Sequence, residues 1–495
     1  MNSRLVSKGR RYRPALASGF AIAVLVVAGC SGSGEGNISS ASISGTTTGA
    51  IARVAGTGTE TGSAGTGTET GSASTGGAGA WADTGKPVDI MGWSTGDEVG
   101  TARADLVKKQ DSGLSIEPDQ NGFDQQKFAT AMAGGTAPAG VSMDRQLLAT
   151  YAAKGLLQPL DQCIESQHID MTQFYPDAVK ESSWNGHVYG VPEFYTTRGL
   201  YVNLAALKDA GIAADDIDTS NWDGITALAG KLYRDKSGKP DRIGFDPKIP
   251  EFLPLWAMAA GGSIVDDTGA PTLDAAPVVD ALTWAVRLVD EQGGWASFKS
   301  FRDTWDFFGG KNEFVTDQVG VMPYEQWYVN VLAGSGGKAD FTVVPIKAKD
   351  GSDLTFETGS SLAVPTGSPN AGGMCAAMKA LTSTDAWLAA GAAREQKIEK
   401  DGGAFTGIFS ANKTANEAIR SKYVKPTGDK NLDTAISTFY DTLDAAKIIP
   451  PSPAGQEIQQ DYQQAVTSAL GGADPAQALQ QAQQAAMQAF KDATS

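Results

Sequence analysis

Apolar and polar residues between residues 86 and 153 alternate between a strand period and a helix period. An apolar strand pattern is followed by a helix pattern three times in succession. The predicted strands lie at Val88–Ile90, 114–116 and near Val141, and the predicted helices at 97–110, 123–132 and around Leu147, Leu148 and Tyr151. Alternation of this kind predicts an α/β fold with parallel strands and crossover helices.

Helix start signals recur along the rest of the chain. Ser220-Asn221-Trp222-Asp223 fits a capping box, and Ala276-Pro277 and Asp474-Pro475 place proline at the first helical position. Apolar residues then fall on one helical face in each segment, at Ile225, Leu228 and Leu232, at Val278, Leu282, Val286 and Val289, and at Leu479, Ala486 and Phe490. The last third of the chain is therefore predicted to be mostly helical.

The first 29 residues have the pattern of an export signal. A basic segment with five Lys and Arg residues precedes an apolar run, Ala15 to Gly29, that is too short to span a bilayer comfortably. The run ends in Val27-Ala28-Gly29-Cys30, which resembles a bacterial lipobox, so Cys30 is predicted to be lipidated. A plain secretory signal with an incidental cysteine, or a short anchor helix, is the alternative.

Residues 30–85 are rich in Gly, Ser, Thr and Ala and nearly free of apolar bulk. The segment GTGTETGSA occurs twice in tandem within them, at 56–64 and 65–73. Such a composition cannot bury enough surface to offset the entropy of ordering, so a flexible tether with a mean span of roughly 35 to 42 Å is predicted.

Charge restricts the partners of the exported chain. Removal of residues 1–29 takes away five basic residues and no acidic one, which leaves 35 basic against 56 acidic residues and a net charge of about −21. An acidic chain with no basic stripe cannot neutralise phosphates, so nucleic acid is excluded as a partner.

Cysteine and histidine are scarce. After Cys30 only Cys163 and Cys375 remain, and they can form one disulfide or stay free; the sequence leaves both open. His168 and His187 are the only two histidines and lie in no recognisable motif. We therefore expect no metal site and no cofactor.

Five segments between residues 87 and 490 follow one another in a recognisable order. They are YAAKGLLQPLDQCI, WNGHVYGVPEFYTTRGLYVNLAALKDAGI, NWDGITALAGKL, FVTDQVGVMPYEQW and GSSLAVPTGSPN. Together they resemble the extracellular solute-binding proteins of ABC importers, in the branch that includes maltose-binding and other sugar-binding lipoproteins.

This resemblance implies a fold like the type II periplasmic binding proteins, with two α/β lobes joined by a hinge of crossing segments. Roughly 410 residues from Lys86 onward suit two lobes. The predicted N-terminal lobe comprises 86–195 and 360–408, and the C-terminal lobe 196–359 and 409–495. In such folds the lobes close on a ligand in the cleft between them.

The ends of strands and the crossing segments supply candidate ligand contacts. A sugar presents hydroxyl groups on its rim and C–H groups on its faces, so its site needs carboxylates, amides and arginines together with aromatic rings. In open α/β sheets such sites form at the carboxyl ends of strands. The predicted ligand-binding residues are Trp93, Ser94, Asp97, Asp144, Arg145, Tyr195, Thr197, Arg198, Trp256, Gln326, Trp327, Ser360 and Phe409.

Several of these residues have a structural alternative. Trp93 and Trp256 can belong to the core, and Asp97 and Asp144 can cap helices. Glu193, between the candidate contacts of the first crossing, is open between the cleft and a salt bridge.

The resemblance implies a monomeric binding protein, lipid-anchored on the extracytoplasmic face of the cell membrane, that delivers a mono- or oligosaccharide to the permease of an ABC importer. The alternatives are a surface co-receptor or adhesin with the same fold, or a glycoside hydrolase. Because the Asp and Glu residues are scattered over separate segments and no catalytic pair is fixed, we predict that the chain is not an enzyme.

Overall fold

The structure is a computed structural model that describes residues 81–495. The predicted signal segment 1–29, the predicted lipidation site Cys30 and residues 31–80 of the predicted tether lie outside the described residues. Within the described part, no helix is both long and apolar enough to cross a membrane.

The strands and helices are numbered in chain order. The strands are β1 Val88–Met91, β2 Ile116–Pro118, β3 Gly140–Asp144, β4 Ser183–Trp184, β5 His187–Val188, β6 Gly190–Pro192, β7 Arg198–Asn203, β8 Arg234–Asp235, β9 Pro240–Phe245, β10 Val319–Glu325, β11 Phe341–Val344, β12 Ile346–Lys347, β13 Asp353–Phe356, β14 Ser360–Ala363 and β15 Ala446–Lys447. The helices are α1 Glu98–Gln110, α2 Gln125–Ala133, α3 Arg145–Ala153, α4 Asp161–Gln167, α5 Pro176–Glu181, α6 Leu204–Ala210, α7 Trp222–Leu232, α8 Leu253–Ala259, α9 Ala276–Asp290, α10 Gly294–Arg302, α11 Tyr328–Ala333, α12 Ala371–Leu381, α13 Thr384–Asp401, α14 Lys413–Tyr423, α15 Lys430–Asp441, α16 Gly455–Leu470 and α17 Pro475–Thr494.

Two five-stranded sheets organise these elements. The first has the order β2-β1-β3-β14-β6, in which β1 is parallel to β2 and β3, and β14 is antiparallel to β3 and β6. The second has the order β11-β7-β10-β9-β8, in which β10 is parallel to β9 and antiparallel to β7. The strand and helix alternation predicted for the first three strands is confirmed.

The chain passes between the two sheets in segments that lie side by side. Residues 193–197 connect β6 to β7, and residues 357–359 connect β13 to β14. The two segments bond to each other through Thr196 and Thr358, with N–O distances of 2.7 and 3.0 Å. Phe409 joins them, because its carbonyl accepts from the Tyr195 amide at 3.1 Å. The lobe boundaries inferred from the sequence stay a prediction.

Most of the predicted helix starts are confirmed. Pro277 lies in the first turn of α9, and Asp474 caps α17 by accepting from the Gln477 amide at 2.9 Å. The capping box at Ser220 is wrong, because Asn221 caps α7 through the Gly224 amide at 3.0 Å. The Ser220 hydroxyl instead donates to Asp218, which lies two residues earlier, at 2.7 Å.

A disulfide joins Cys163 on α4 to Cys375 on α12, with 5.8 Å between their Cα atoms. Both cysteines are buried, in a hydrophobic core that contains residues of both large sheets. The sequence left this pairing open, and the structure forms it between two helices whose residues fall within the predicted N-terminal lobe.

Candidate functional site

At the crossing segments the end of β3 in the first sheet comes near the ends of β7 and β10 in the second sheet, and we call the region between these strand ends the cleft. On the first sheet, β3 ends at Asp144 in register with Ser360 at the start of β14. On the second sheet, β10 ends at Glu325 in register with Arg198 at the start of β7. The negative charge of Glu325 helps to raise the pKa of Asp144, so groups from both sheets come close to each other here.

The Asp144 carboxylate is free of hydrogen bonds to any described residue. Asp144 precedes α3, but its side chain makes no capping bond, so the helix-cap alternative does not hold. The side chain is open to water. The protein atoms crowded around it nevertheless raise its pKa, and the negative charge of Glu325 raises this pKa further, against the effect of Arg145 and Arg198. A ligand that donates hydrogen bonds would satisfy this carboxylate.

Arg198, Glu325 and Trp327 form a connected group on the opposite edge. The Arg198 Nη2 donates to Glu325 Oε1 at 2.6 Å, and the Trp327 indole N–H donates to Glu325 Oε2. Arg198 also lies over the ring of Phe356, 4.7 Å from its centroid. The predicted residues Arg198 and Trp327 are thus held in place by a carboxylate at the cleft edge.

An aromatic wall continues from Trp327 along the second lobe. Phe308 is 59% exposed, and its ring lies parallel to that of Trp327, with 5.8 Å between centroids and 10° between planes. The Tyr324 ring packs edge-on against two other rings, with 5.5 Å between its centroid and that of Trp327 and 4.8 Å between its centroid and that of Phe307. Exposed aromatic surface together with the unpaired carboxylate of Asp144 suits a ligand with both apolar and hydroxyl-bearing surfaces.

Glu193 is buried in a salt bridge, and this resolves the alternative left open by the sequence. Its Oε1 accepts from Trp93 Nε1 at 2.7 Å and from Arg103 Nη1 at 2.9 Å. Its Oε2 accepts from the Ser142 hydroxyl at 3.0 Å and from the Ser360 hydroxyl at 3.2 Å. Trp93 and Ser360 therefore already have partners within the first lobe.

Arg145 is buried behind the cleft and binds several segments of the hinge. Its Nε donates to Glu181 at 2.9 Å, and its Nη2 donates to Glu357. Its Nη1 donates to the carbonyls of Phe194 at 2.6 Å and Ser360 at 2.9 Å. The guanidinium thus positions the two crossing segments that flank Asp144.

The other predicted residues of the hinge are also buried. The Thr197 amide donates to Gln326 Oε1 at 2.8 Å, and Gln326 Nε2 donates to the Tyr195 carbonyl at 3.2 Å. Tyr195 stacks on Tyr175 with 4.3 Å between centroids. The Phe409 ring lies 4.5 Å from that of Tyr440. These side chains connect the crossing segments to one another.

The remaining predicted residues lie in different surroundings. Ser94 and Asp97 are exposed in the loop between β1 and α1, where Asp97 caps α1 through the Gly100 amide at 2.8 Å. Trp256 has no exposed surface, and its indole N–H donates to the Pro247 carbonyl at 2.8 Å. It packs edge-on against Trp284 at 4.8 Å, so the structure places it in the core of the second lobe.

Sequence reasoning missed the aromatic residues of the wall other than Trp327. Phe307 and Phe308 lie in the segment Trp305-Asp306-Phe307-Phe308-Gly309-Gly310, whose dense aromatic content ahead of two glycines was the available signal. Among residues 81–495, no group of three or more His, Cys, Asp or Glu side chains is arranged to hold a metal ion.

Comparison with known proteins gives a family and a set of related structures. The family model of bacterial extracellular solute-binding proteins matches residues 101–393. A lactose-binding protein from Rhizobium radiobacter is 26% identical over 192 residues, which are 38% of this chain and 44% of that protein. This match therefore spans less than half of the relative's own length.

The related solved structures cover nearly the whole folded body. CpMnBP1 with mannotriose bound has a TM-score of 0.66 at 21% identity, covering 81% of this chain and 99% of its own. The maltose/maltodextrin-binding domain MalE from Bdellovibrio bacteriovorus, bound to maltotriose, has a TM-score of 0.61 at 17% identity, covering 82% and 100%. A solute-binding protein from Thermotoga lettingae, bound with alpha-D-tagatose, has a TM-score of 0.63 at 20% identity, covering 82% and 100%. These likenesses confirm the predicted fold of two α/β lobes.

Proposed function

The chain belongs to the family of bacterial extracellular solute-binding proteins, and from this premise we propose that it binds a carbohydrate in the cleft and delivers it to the permease of an ABC importer. Membership of a solute-binding family confirms the prediction that the chain is not an enzyme. The relatives described above include proteins named for lactose or crystallised with mannotriose, maltotriose or tagatose. A sugar is accordingly the proposed class of ligand.

The observation that carries this proposal is the pair of facing edges at Asp144 and Trp327. Asp144 offers a carboxylate without a hydrogen-bond partner among the described residues, and Trp327 with Phe308 offers aromatic surface on the other lobe. Hydroxyl groups on the rim of a sugar would donate to Asp144, while its C–H face would lie against the aromatic wall. Such a ligand contacts both lobes and therefore favours their closed arrangement.

The proposed site keeps some of the predicted residues, adds Glu325 and Phe308, and leaves Asp97 to its helix cap and Trp256 to the core. We place Asp144, Arg198, Glu325, Trp327 and Phe308 in contact with the ligand, and Ser94 at the rim of the cleft. The other predicted residues hold these groups in position; Trp93, Arg145, Tyr195, Thr197, Gln326 and Phe409 are buried, and Ser360 is half-buried.

A thermal-shift screen of the purified folded body tests the proposed ligand class. We expect one or more members of a panel of lactose, manno-oligosaccharides, maltotriose and tagatose to raise the melting temperature, because a ligand that binds only the folded state stabilises it by about 2.7 kcal/mol at 100 times its Kd. Peptides and polyamines serve as controls. Stabilisation by these controls and by no carbohydrate would contradict the ligand class, and release of a modified sugar would contradict a binding role.

We also propose that Cys30 carries a lipid that anchors the protein to the membrane, as its lipobox-like context suggests. Replacing Cys30 with serine is expected to move most of the protein from the membrane fraction to the culture medium, because the variant has no thiol to carry the lipid and so loses the membrane affinity of its acyl chains. Immunoblotting of the two fractions measures this, with Ser31→Ala as the matched control. Retention of the Cys30→Ser protein in the membrane would support an anchor helix, and release of the unaltered protein would support a plain secretory signal.

A further inference from the structure

Lys248 lies at the same edge of the second sheet as Glu325. It follows β9, which runs parallel to β10 and ends next to it. Its backbone adopts a left-handed conformation with φ of 54°. Such a conformation costs a residue other than glycine on the order of 1 kcal/mol, so the surrounding structure holds Lys248 in this place.

Three aromatic rings surround the Lys248 ammonium group. Its Nζ lies 5.5 Å from the ring centroid of Trp305, 4.9 Å from that of Phe307 and 5.0 Å from that of Tyr324. Tyr324 in turn contacts Trp327 in the wall of the proposed site. Because ring faces attract cations, this cage fixes the ammonium beside the aromatic wall.

The ammonium group has no hydrogen-bond acceptor among the described residues, although only 11% of the side chain is exposed. The nearest carboxylate oxygen, Asp246 Oδ2, is 3.8 Å from Nζ, which is too long for a hydrogen bond. An ammonium group has three donors, and a buried donor without an acceptor is costly. The cage therefore holds a cation whose hydrogen-bonding capacity is unused by the protein.

Other polar atoms near Lys248 are also without partners in the described part of the chain. Asp246 Oδ2, Glu313 Oε2 and Trp305 Nε1 are all buried and make no hydrogen bond. Buried polar atoms without partners are few in folded proteins, so a group of them in one place calls for an explanation. A polar ligand that enters beside the cage would supply hydrogen-bond partners for these atoms.

We propose that Lys248 is a ligand-binding residue of the second lobe and that its ammonium group donates a hydrogen bond to a hydroxyl oxygen of the bound carbohydrate. This inference rests on the proposed function. Lys248 adds a donor on the lobe where Arg198 is already engaged by Glu325. The ligand then accepts hydrogen bonds from Lys248 and donates them to Asp144 on the opposite lobe, and this pairing favours polyhydroxylated ligands over purely cationic ones.

The charges around Lys248 favour a neutral hydroxyl over an anionic group. Asp246, Glu251 and Glu313 all act on the ammonium, while Arg302 is the second cation beside it. Three carboxyl groups against two cations leave no surplus positive charge to attract a carboxylate or a phosphate. A sugar without an acidic substituent suits this balance.

Replacing Lys248 with methionine tests the inference, because methionine keeps the apolar stem that fills the cage and removes the donor. We expect the Kd for the carbohydrate found in the thermal-shift screen to rise about tenfold to a hundredfold in isothermal titration calorimetry. Lys349→Met is the matched control, since Lys349 Nζ also lies over a tryptophan ring, Trp222, at 4.0 Å, but away from the cleft. Its affinity should stay within twofold of the unaltered protein. Should Lys248→Met fail to fold, Lys248→Gln replaces it.

The pH profile separates a direct contact from a purely structural role. Burial lowers the pKa of Lys248, and Arg302 lowers it further against the effect of Asp246. The affinity of the unaltered protein should fall as the pH rises toward the ordinary lysine pKa of about 10.4, because the charged donor is lost. Tyr324 stays neutral through this range because burial raises its pKa. Lys248→Met should lack this alkaline fall. Carbohydrate binding that is equally tight in Lys248→Met overturns the inference, whereas binding of no carbohydrate by the unaltered protein overturns the proposed function itself.

Discussion

Replacing Trp327 with alanine is expected to weaken carbohydrate binding by roughly thirtyfold or more, since removal of a well-placed aromatic contact costs about 2 kcal/mol or more. The ring is half-buried at the cleft edge and is fixed by Phe308 on one side and by Glu325 through its indole N–H. Isothermal titration with the sugar from the thermal-shift screen measures the loss. The unfolding free energy in urea should fall by less than the roughly 3 to 5 kcal/mol usual for a fully buried tryptophan, because the ring packs against the core but is only half-buried.

Trp184 supplies the matched control for this change. It is also half-buried, but it lies in the two-stranded hairpin of β4 and β5, which is separate from both large sheets. Trp184→Ala should bind the sugar as tightly as the unaltered protein. Equal affinity in Trp327→Ala and Trp184→Ala would remove Trp327 from the site, and Phe308→Ala would then show whether the aromatic wall takes part at all.

Replacing Arg145 with methionine is expected to lower the unfolding free energy by about 3 to 5 kcal/mol, as is usual when one partner of a buried ion pair is removed. Arg145 is the cation between Glu181 and Glu357, and none of the three side chains is more than 1% exposed. Its loss leaves two carboxyl groups buried without a positive charge between them. Urea denaturation at neutral pH measures the difference.

The effect of Arg145→Met should also depend on pH in a defined direction. Burial raises the pKa of Glu357 and of Glu181, against the opposing effect of Arg145. The folded state therefore holds protons that the unfolded state has lost above the ordinary glutamate pKa of about 4.3, so stability decreases as the pH rises from there toward the raised values. The unfolding free energy falls by at most about 1.4 kcal/mol per pH unit for each proton that the folded state retains. Without Arg145 both carboxyl groups must stay protonated in the folded state. The difference in unfolding free energy between Arg145→Met and the unaltered protein should therefore be smallest at acid pH.

Tyr195, Asp177 and Arg198 also act on this buried group and must be considered in reading the pH profile. Tyr195 stays neutral because burial raises its pKa. Glu357→Gln, which imitates the protonated carboxyl, should therefore flatten the profile while the protein stays folded. The control Arg287→Met removes an exposed ion pair with Asp223 and should cost no more than about 1 kcal/mol. A pH-independent change of that size in Arg145→Met would contradict the account.

Local signals in the sequence sufficed for the elements that local chemistry determines. Proline and aspartate at the start of α17 and the alternating strands around Val88 and Ile90 were predicted because caps and periodicity act within one turn or one strand. The predicted capping box at Ser220 is wrong because of another local contact. The Ser220 hydroxyl donates to Asp218, and Asn221 caps the helix instead.

The roles of single residues at the site depend on contacts far apart in sequence. Arg145 resembled a cleft residue because it follows Asp144, but its partners Glu181 and Glu357 lie 36 and 212 residues away. Trp256 and Trp327 are the same residue type in partly apolar stretches, and only the tertiary structure separates the core ring from the cleft ring. Lys248 had no signal at all, because its cage is assembled from Trp305, Phe307 and Tyr324 of later segments.

The disulfide has a topological consequence for the second lobe. Cys163 and Cys375 are 212 residues apart, and every strand of the second sheet, from β7 to β11, lies between them. The second sheet thus lies in an excursion, residues 164–374, that the disulfide closes into a covalent loop, whereas residues 409–495 of the predicted C-terminal lobe lie outside it. A single backbone cut by a protease anywhere in this excursion leaves two fragments that stay joined through sulfur, so the nicked chain keeps its full mass until a reductant is added.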